Sequence, residues 1–402
     1  MDNHCVLYCY ELKKLSQKKI LWISLGICLL AIAFSLLFPL VGNYYVDGTI
    51  IDSNYNFYLT DQAYRKDLSG RAIDQALLEE TIDAYSHVPL DVTPYSLTEE
   101  YQTYARPYSE IFNLIRTWTG KDASSAVQWE PDEANFYSAM QTKMETVWNS
   151  NYLTDSELAY WQNRAGSLQT PFVYQYHDGY MYILEVFLTV GVMMMLFIAI
   201  ALANVFPDEH TQRTDQLVLC TVSGRKYIYW IKTLSGITVG CAGALLMTIF
   251  TWTMSLIVYG TDGFDMAIQL FCTTYAGHIT IGQACLIAYG CLLITALLIS
   301  IMVMLLSEWL HSGIAALSVT TAMILASCLF QVPAEYRLLG QLWDYLPTSF
   351  LTMWNTFDCR LIPVFGRLFT SYQIIPLVYI GIACLLAVLG QQNYARYQVS
   401  GR

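Results

Sequence analysis

Charge is what this chain has least of: 13% of its 402 residues are Asp, Glu, Lys or Arg, while 55% are hydrophobic. Soluble globular domains carry about a quarter of their residues as charged side chains, so the balance excludes an ordinary soluble enzyme. Cysteine is missing where a secreted domain would need it. None of the eleven lies within 43–179, so no disulfide framework supports that long polar stretch. Most of the others sit in or beside apolar runs, where a thiol serves as a small apolar filler; Cys272 and Cys359 are not expected to pair. Catalytic signatures are absent as well. There is no G-x-x-x-x-G-K-[ST] run, the nearest being Thr119-Gly120-Lys121-Asp122 without the first Gly. Neither H-E-x-x-H nor G-x-S-x-G occurs, and the six His are scattered. These gaps predict a chain that is not an enzyme and holds no metal, cofactor or nucleotide of its own.

What is there is apolar sequence in long runs. A helix needs about 20 residues to cross roughly 30 Å of hydrocarbon, and six runs reach or approach that length: 20–41, 181–206, 236–258, 279–306, 313–332 and 374–389. Backbone groups in lipid must be satisfied within the segment, which commits each run to helix. The expected fold class is an all-α integral membrane protein, six transmembrane helices with a mostly helical extracytoplasmic domain between the first and second. Lys13, Lys14, Lys18 and Lys19 precede the first run, and Arg213, Arg225, Lys226 and Lys232 lie between the second and third, so both flanks read as cytoplasmic. Six crossings return Arg396 and Arg402 to the same side. The resulting organisation is a cytoplasmic N-terminal segment 1–19, a first span 20–41, an outer domain 43–179, a five-helix region 181–389 and a cytoplasmic tail 390–402, in a cell membrane with both termini inside. The first run is too long for a signal-peptide core and reads as a retained anchor.

The outer region carries twenty Asp and Glu against eight Lys and Arg, a net charge of minus twelve that accounts for the whole chain's minus eleven. Such a surface argues against nucleic acid as a partner. Helix-start signals recur in it. Ser96-Leu97-Thr98-Glu99 and Thr154-Asp155-Ser156-Glu157 have capping-box spacing, and Pro131-Asp132-Glu133 suits a first turn. Helices are expected over 71–84, 97–118 with a break at Pro107, 131–148, and 155–165 stopped by Gly166; 43–59 reads as extended chain. Its tyrosines, among them Tyr44, Tyr45, Tyr101, Tyr104 and Tyr108, read as core more readily than as a stacking site.

A polar segment, 207–232, separates the second and third runs. Pro207 fits a first helical position, Asp208 and Glu209 complement the positive helix end, and Gly224 followed by Arg225 and Lys226 suits the stop. The pattern describes a helix of about four turns, too polar to span. It is either an interfacial helix resting on headgroups or a lever that transmits motion to the spans on both sides.

The order of Glu209, Thr214, Leu217, Leu219, Ser223, Arg225 and Lys232 resembles the coupling-helix region of ABC-transporter permeases of the type-2 exporter class. One departure is Arg213, where that family often has Gly. The N-terminal run Tyr10-Glu11-Leu12-Lys13-Lys14-Leu15 is similar to the family's amphipathic membrane elbow, here represented by Glu11, Lys13 and Lys14, with Cys5, Tyr8, Cys9 and Leu12 on one face. Asp344-Tyr345-Leu346-Pro347-Thr348 is a third echo. The resemblance implies a permease subunit moved by separate ABC ATPase subunits, with ATP and Mg on those partners. It further implies a second permease copy or a related permease alongside, membrane lipid around it, and export as the direction. A membrane receptor or sensor with an acidic ligand-binding outer domain is the alternative.

Two ionisable residues fall near the ends of apolar runs. Glu308 reads as structural, whereas Glu185, at the outer mouth of the second run, is a candidate pathway residue. Gly236, Gly240 and Gly243 give the third run a small-residue face expected to pack within the chain.

Overall fold

The computed structural model describes residues 3–46, 49–92, 94–212, 227–333 and 335–396, most of them helical. Five helical segments are long and apolar enough to cross a membrane: Lys19–Leu40, Phe187–Glu209, Tyr227–Tyr259, Ile281–Leu310 and Ser371–Arg396. They give the chain its multi-pass membrane character.

The chain opens with α1 (Asn3–Ser16) and α2 (Lys19–Leu37), followed by a hairpin of β1 (Asn43–Val46) and β2 (Thr49–Ser53). Next come α3 (Asn54–Leu68), α4 (Gln75–Ser86), α5 (Ser109–Thr119), α6 (Ala123–Val127), α7 (Glu133–Ser150) and α8 (Asp155–Gly166). The second apolar run is divided into α9 (Asp178–Glu185) and α10 (Phe187–Leu202), with α11 (Pro207–Gln212) after it. Three helices follow, α12 (Tyr227–Tyr259), α13 (Ile281–Leu310) and α14 (Gly313–Leu329). Short α15 (Arg337–Asp344), α16 (Pro347–Phe350) and α17 (Met353–Thr356) and a hairpin of β3 (Ile362–Val364) with β4 (Arg367–Phe369) lead into α18 (Ser371–Arg396).

Apolar sequence on every side of a helix makes it compatible with a core or with lipid, and packing separates the two cases. α10 and α13 form the centre. In each, 61% of the most apolar stretch is buried, against 28–33% in the other three long helices. Small residues permit the close approaches. A Cβ added at Gly236, Gly240 or Gly243 of α12 would run into Met304, Ser300 or Phe197, all in this same chain, so the glycine face packs internally as expected. Gly191 of α10 similarly leaves room for Leu351, just past α16.

Two apolar runs differ from their expected bounds. α12 starts at Tyr227, nine residues before the run at 236, and its 33 residues extend about 50 Å, well beyond the hydrocarbon core. The run at 313–332 forms the shorter α14, of 17 residues, because the chain is already extended at Phe330 and Pro333 disfavours helix in the residue before it. After α15 the chain turns back inward. Pro347 starts α16, whose Thr348, Ser349 and Phe350 are buried, with Thr348 Oγ1 donating to Met195 Sδ at 3.4 Å and Ser349 Oγ to the Ser327 carbonyl at 3.1 Å.

The region between α2 and α9 follows the sequence in outline. Extended chain covers β1 and β2, but residues 54–59 open α3, because Ser53 caps it by accepting from Asn56 N. The expected capping box of Thr154 and Glu157 is present at α8. At 96–99 it is not: Thr98 Oγ1 accepts from Tyr101 N, and the chain passes through 3₁₀ and π turns around Pro107 before α5 begins at Ser109. Aromatics fill the interior. Tyr85 stacks on Phe112 with ring centres 3.5 Å apart, and Trp118, Phe136 and Trp148 are buried, whereas Tyr45 and Tyr104 are exposed.

Several contacts fasten this region to α9 and to the short elements between α14 and α18. Arg65 of α3 reaches Asp178 at the start of α9 at 2.9 Å and Glu110 at 2.8 Å. Both carboxylate oxygens of Glu157 in α8 accept from Arg337 Nη2 at 2.6 Å, and Oε1 accepts from Leu361 N at 2.7 Å. Trp161 Nε1 donates to the Cys359 carbonyl at 2.6 Å.

Candidate functional site

The polar segment after α10 is anchored by a network of opposite charges. Asn204, Val205 and Phe206 lead into α11, and Glu209 on its first turn faces Lys232, which lies on the second turn of α12. Lys232 is 1% exposed and its ammonium is bonded directly to Glu209 Oε1. Glu11 of α1 approaches the same ammonium at 3.8 Å, and the Phe206 ring lies 5.6 Å from it. Lys14 of α1 donates to Glu209 Oε1 at 3.0 Å. Lys18, just past the end of α1, donates to Asp208 at 2.6 Å. A buried ammonium without a partner would be strongly unfavourable, so Glu209 and Glu11 are what permit Lys232 to sit in the core.

An apolar half completes the junction. The Tyr229 ring stacks on Phe206 at 5.9 Å and packs beside Tyr394 at 5.8 Å, and a Cβ at Gly390 would strike the Tyr229 hydroxyl. Ser307 Oγ of α13 donates to the Ala203 carbonyl at 2.8 Å, while Asn393 of α18 donates to both oxygens of Glu308 at 2.9 and 2.8 Å. The ends of α1, α10, α12, α13 and α18 thus meet around one buried lysine. Glu209 joins α11 to α12 through Lys232 and to α1 through Lys14.

Of the residues expected at this site, the structure brings Glu209, Lys232, Glu11 and Lys14 together. Lys13 is exposed and contributes only its carbonyl, to Ser16 and Gln17. Arg213, Thr214, Leu217, Leu219, Ser223 and Arg225 lie outside the described residues. His4, Tyr8 and Glu11 point to α12, with Tyr8 hydroxyl 2.8 Å from Thr238 Oγ1 and the His4 ring 4.7 Å from Tyr227, while Cys5 and Cys9 are exposed. Lys18 and Asp208 were not expected to pair. Residues 11, 14 and 18 share a helical spacing that hints at one face, but nothing local identifies their partners, Lys232, Glu209 and Asp208, far along the chain.

Glu185 is at the other end of α10, separated from this junction by the whole helix. It closes α9, exposed, next to the break at Val186. A cleft of about 430 Å³ opens beside it.

No protein-family model matches the sequence, and no curated protein matches it. The class defined by fold and junction is a multi-pass helical membrane protein in which Glu209, at the end of the second long segment, is paired with Lys232 near the start of the third.

Proposed function

We propose that this chain is the membrane-spanning permease subunit of an ATP-driven ABC transporter working as an exporter, moved by separate ATPase subunits through the segment 207–232. The observation that carries the reading is buried Lys232, bonded to Glu209 and approached by Glu11. It couples the base of that segment to both the N-terminal helix and α12. In this reading α14 completes six spans, 43–179 folds outside the membrane, and both termini are cytoplasmic. The lysines of α1 and the following turn lie on the same side as the junction, which supports that orientation. The ATPase holds ATP and Mg, a second permease copy or a related chain completes the conduit, and lipid surrounds it.

Nucleotide shifts the permease between inward-open and outward-open packings only through the ATPase's preference for its closed dimer. That preference reaches the spans as a push on 207–232. The pairing at Lys232 supplies a stiff link because separating it would leave a charge stranded in the core.

Affinity purification in mild detergent tests the reading. An ATPase is expected to co-purify, and its turnover to fall in Glu209→Gln and Arg225→Ala. Unchanged association and turnover in both variants removes the coupling role and leaves the receptor alternative. Reaction of Cys220 with an impermeant thiol reagent applied outside intact cells would overturn the topology.

A further inference from the structure

We propose that the cleft where α9 meets α10 binds a lipophilic organic cation, with Glu185 as counter-ion. The cleft of about 430 Å³ is walled by Leu188, Phe271, Thr352, Met353 and Trp354 around the Glu185 carboxylate, a volume suited to a small drug-like molecule. A second cleft of about 380 Å³ shares Leu188, Thr352 and Trp354 with it and continues past Phe330 and Trp343 to the polar side chains of Gln331, Asp344 and Asn355. No Lys, Arg or His lines either cleft.

Several acids at this end of the molecule are held in ion pairs. Asp178 has Arg65, Glu157 has Arg337, and Asp344 and Asp358 share Arg360. Among the described residues Glu185 has neither an ion-pair nor a hydrogen-bond partner. The aromatic walls add a second preference of the same sign. Trp354 is 69% exposed and Phe271 half-buried beside it, and ring faces attract cations, most strongly when water is displaced. Thr352 Oγ1 is already engaged, donating to the Ser349 carbonyl at 3.0 Å. A ligand that needs charge and apolar contact but no directional donor, such as a phosphonium or quaternary ammonium, fits this chemistry.

The inference concerns the chain alone and does not rest on coupling to an ATPase. The purified full chain in nanodiscs of neutral lipid is titrated with radiolabelled tetraphenylphosphonium, with empty nanodiscs measuring partition into lipid. Saturable binding is expected, displaced by unlabelled tetraphenylphosphonium but not by tetraphenylborate, an anion of nearly the same shape. Glu185→Gln is expected to weaken it at least tenfold, Trp354→Ala several-fold, and Glu185→Asp to restore most of it. Thermal unfolding of each variant in the same nanodiscs establishes that it is folded. Absence of saturable binding, equal displacement by the anion, or unchanged affinity in folded Glu185→Gln each overturns the proposal. None of these results bears on ATPase association, so the two readings fail separately.

Discussion

Replacing Glu209 by Gln strands the most deeply buried cation of the junction. Lys232 then retains only Glu11, at 3.8 Å, a separation beyond hydrogen bonding. Removing one partner of a buried ion pair costs about 3–5 kcal/mol, and Glu209→Gln belongs at the upper end because Lys232 is 1% exposed. Lys232→Met is milder. Glu209 keeps Lys14 at 3.0 Å, a partner whose side chain is 35% exposed, and the cost drops to the lower end, about 3 kcal/mol. The double variant removes both charges and leaves an apolar side chain beside Phe206, so it is expected to cost less than either single variant. An unfolding entropy of about 2 cal/mol/K per residue makes 1 kcal/mol worth roughly 1 °C in a chain of this length. The expected order of Tm is wild type, then the double variant, then Lys232→Met, then Glu209→Gln lowest by about 4–5 °C, measured on detergent-solubilised protein at one scan rate. A Glu209→Gln protein as stable as wild type, or a double variant no better than the worse single, would refute the reasoning.

Glu157 predicts an acid limit for the link between α8 and α15. Burial opposes its ionisation, but hydrogen bonds from Arg337, Thr154 and Leu361 N outweigh this and hold the carboxyl below its usual range. A depressed folded pKa contributes stability that is fully present above the unfolded value of about 4.3 and is lost as pH falls through the folded one. The Tm difference between wild type and Glu157→Gln is therefore expected to be constant near neutrality and to shrink below about pH 4; a difference independent of pH down to 3 would contradict it. Glycine packing gives a paired test. Gly243→Ala drives a methyl into the Phe197 ring and should cost about 1–3 kcal/mol, whereas Gly290→Ala, with nothing within 4 Å of the new Cβ, should be neutral or stabilising by up to about 1 kcal/mol. Equal Tm changes for the two variants would show that α12 does not pack as described.

Much of this molecule is decided before it folds. Long apolar runs admit only helix where backbone groups must satisfy one another, so five long membrane-type helices follow from composition and run length, and so does the polar character of 207–232. Local hydrogen bonding is equally legible where a single short-range competitor exists: Thr154 and Glu157 form their box because both partners lie within one turn. It is not legible at 96–99, where Thr98 reaches Tyr101 and Pro107 forbids a regular ladder. The charges of Glu209, Lys232, Glu11 and Lys14 are visible in the chain, yet their convergence is not, since it depends on α12 beginning at Tyr227 and on α1 lying against it. Burial of α10 and α13 in preference to α2, α12 and α18 is likewise a property of the assembled bundle. Hydropathy measures only transfer out of water, and it is blind to whether a leucine meets lipid or another helix. That choice is made by shape, by where a glycine lets two helices touch and where a buried lysine finds its carboxylate.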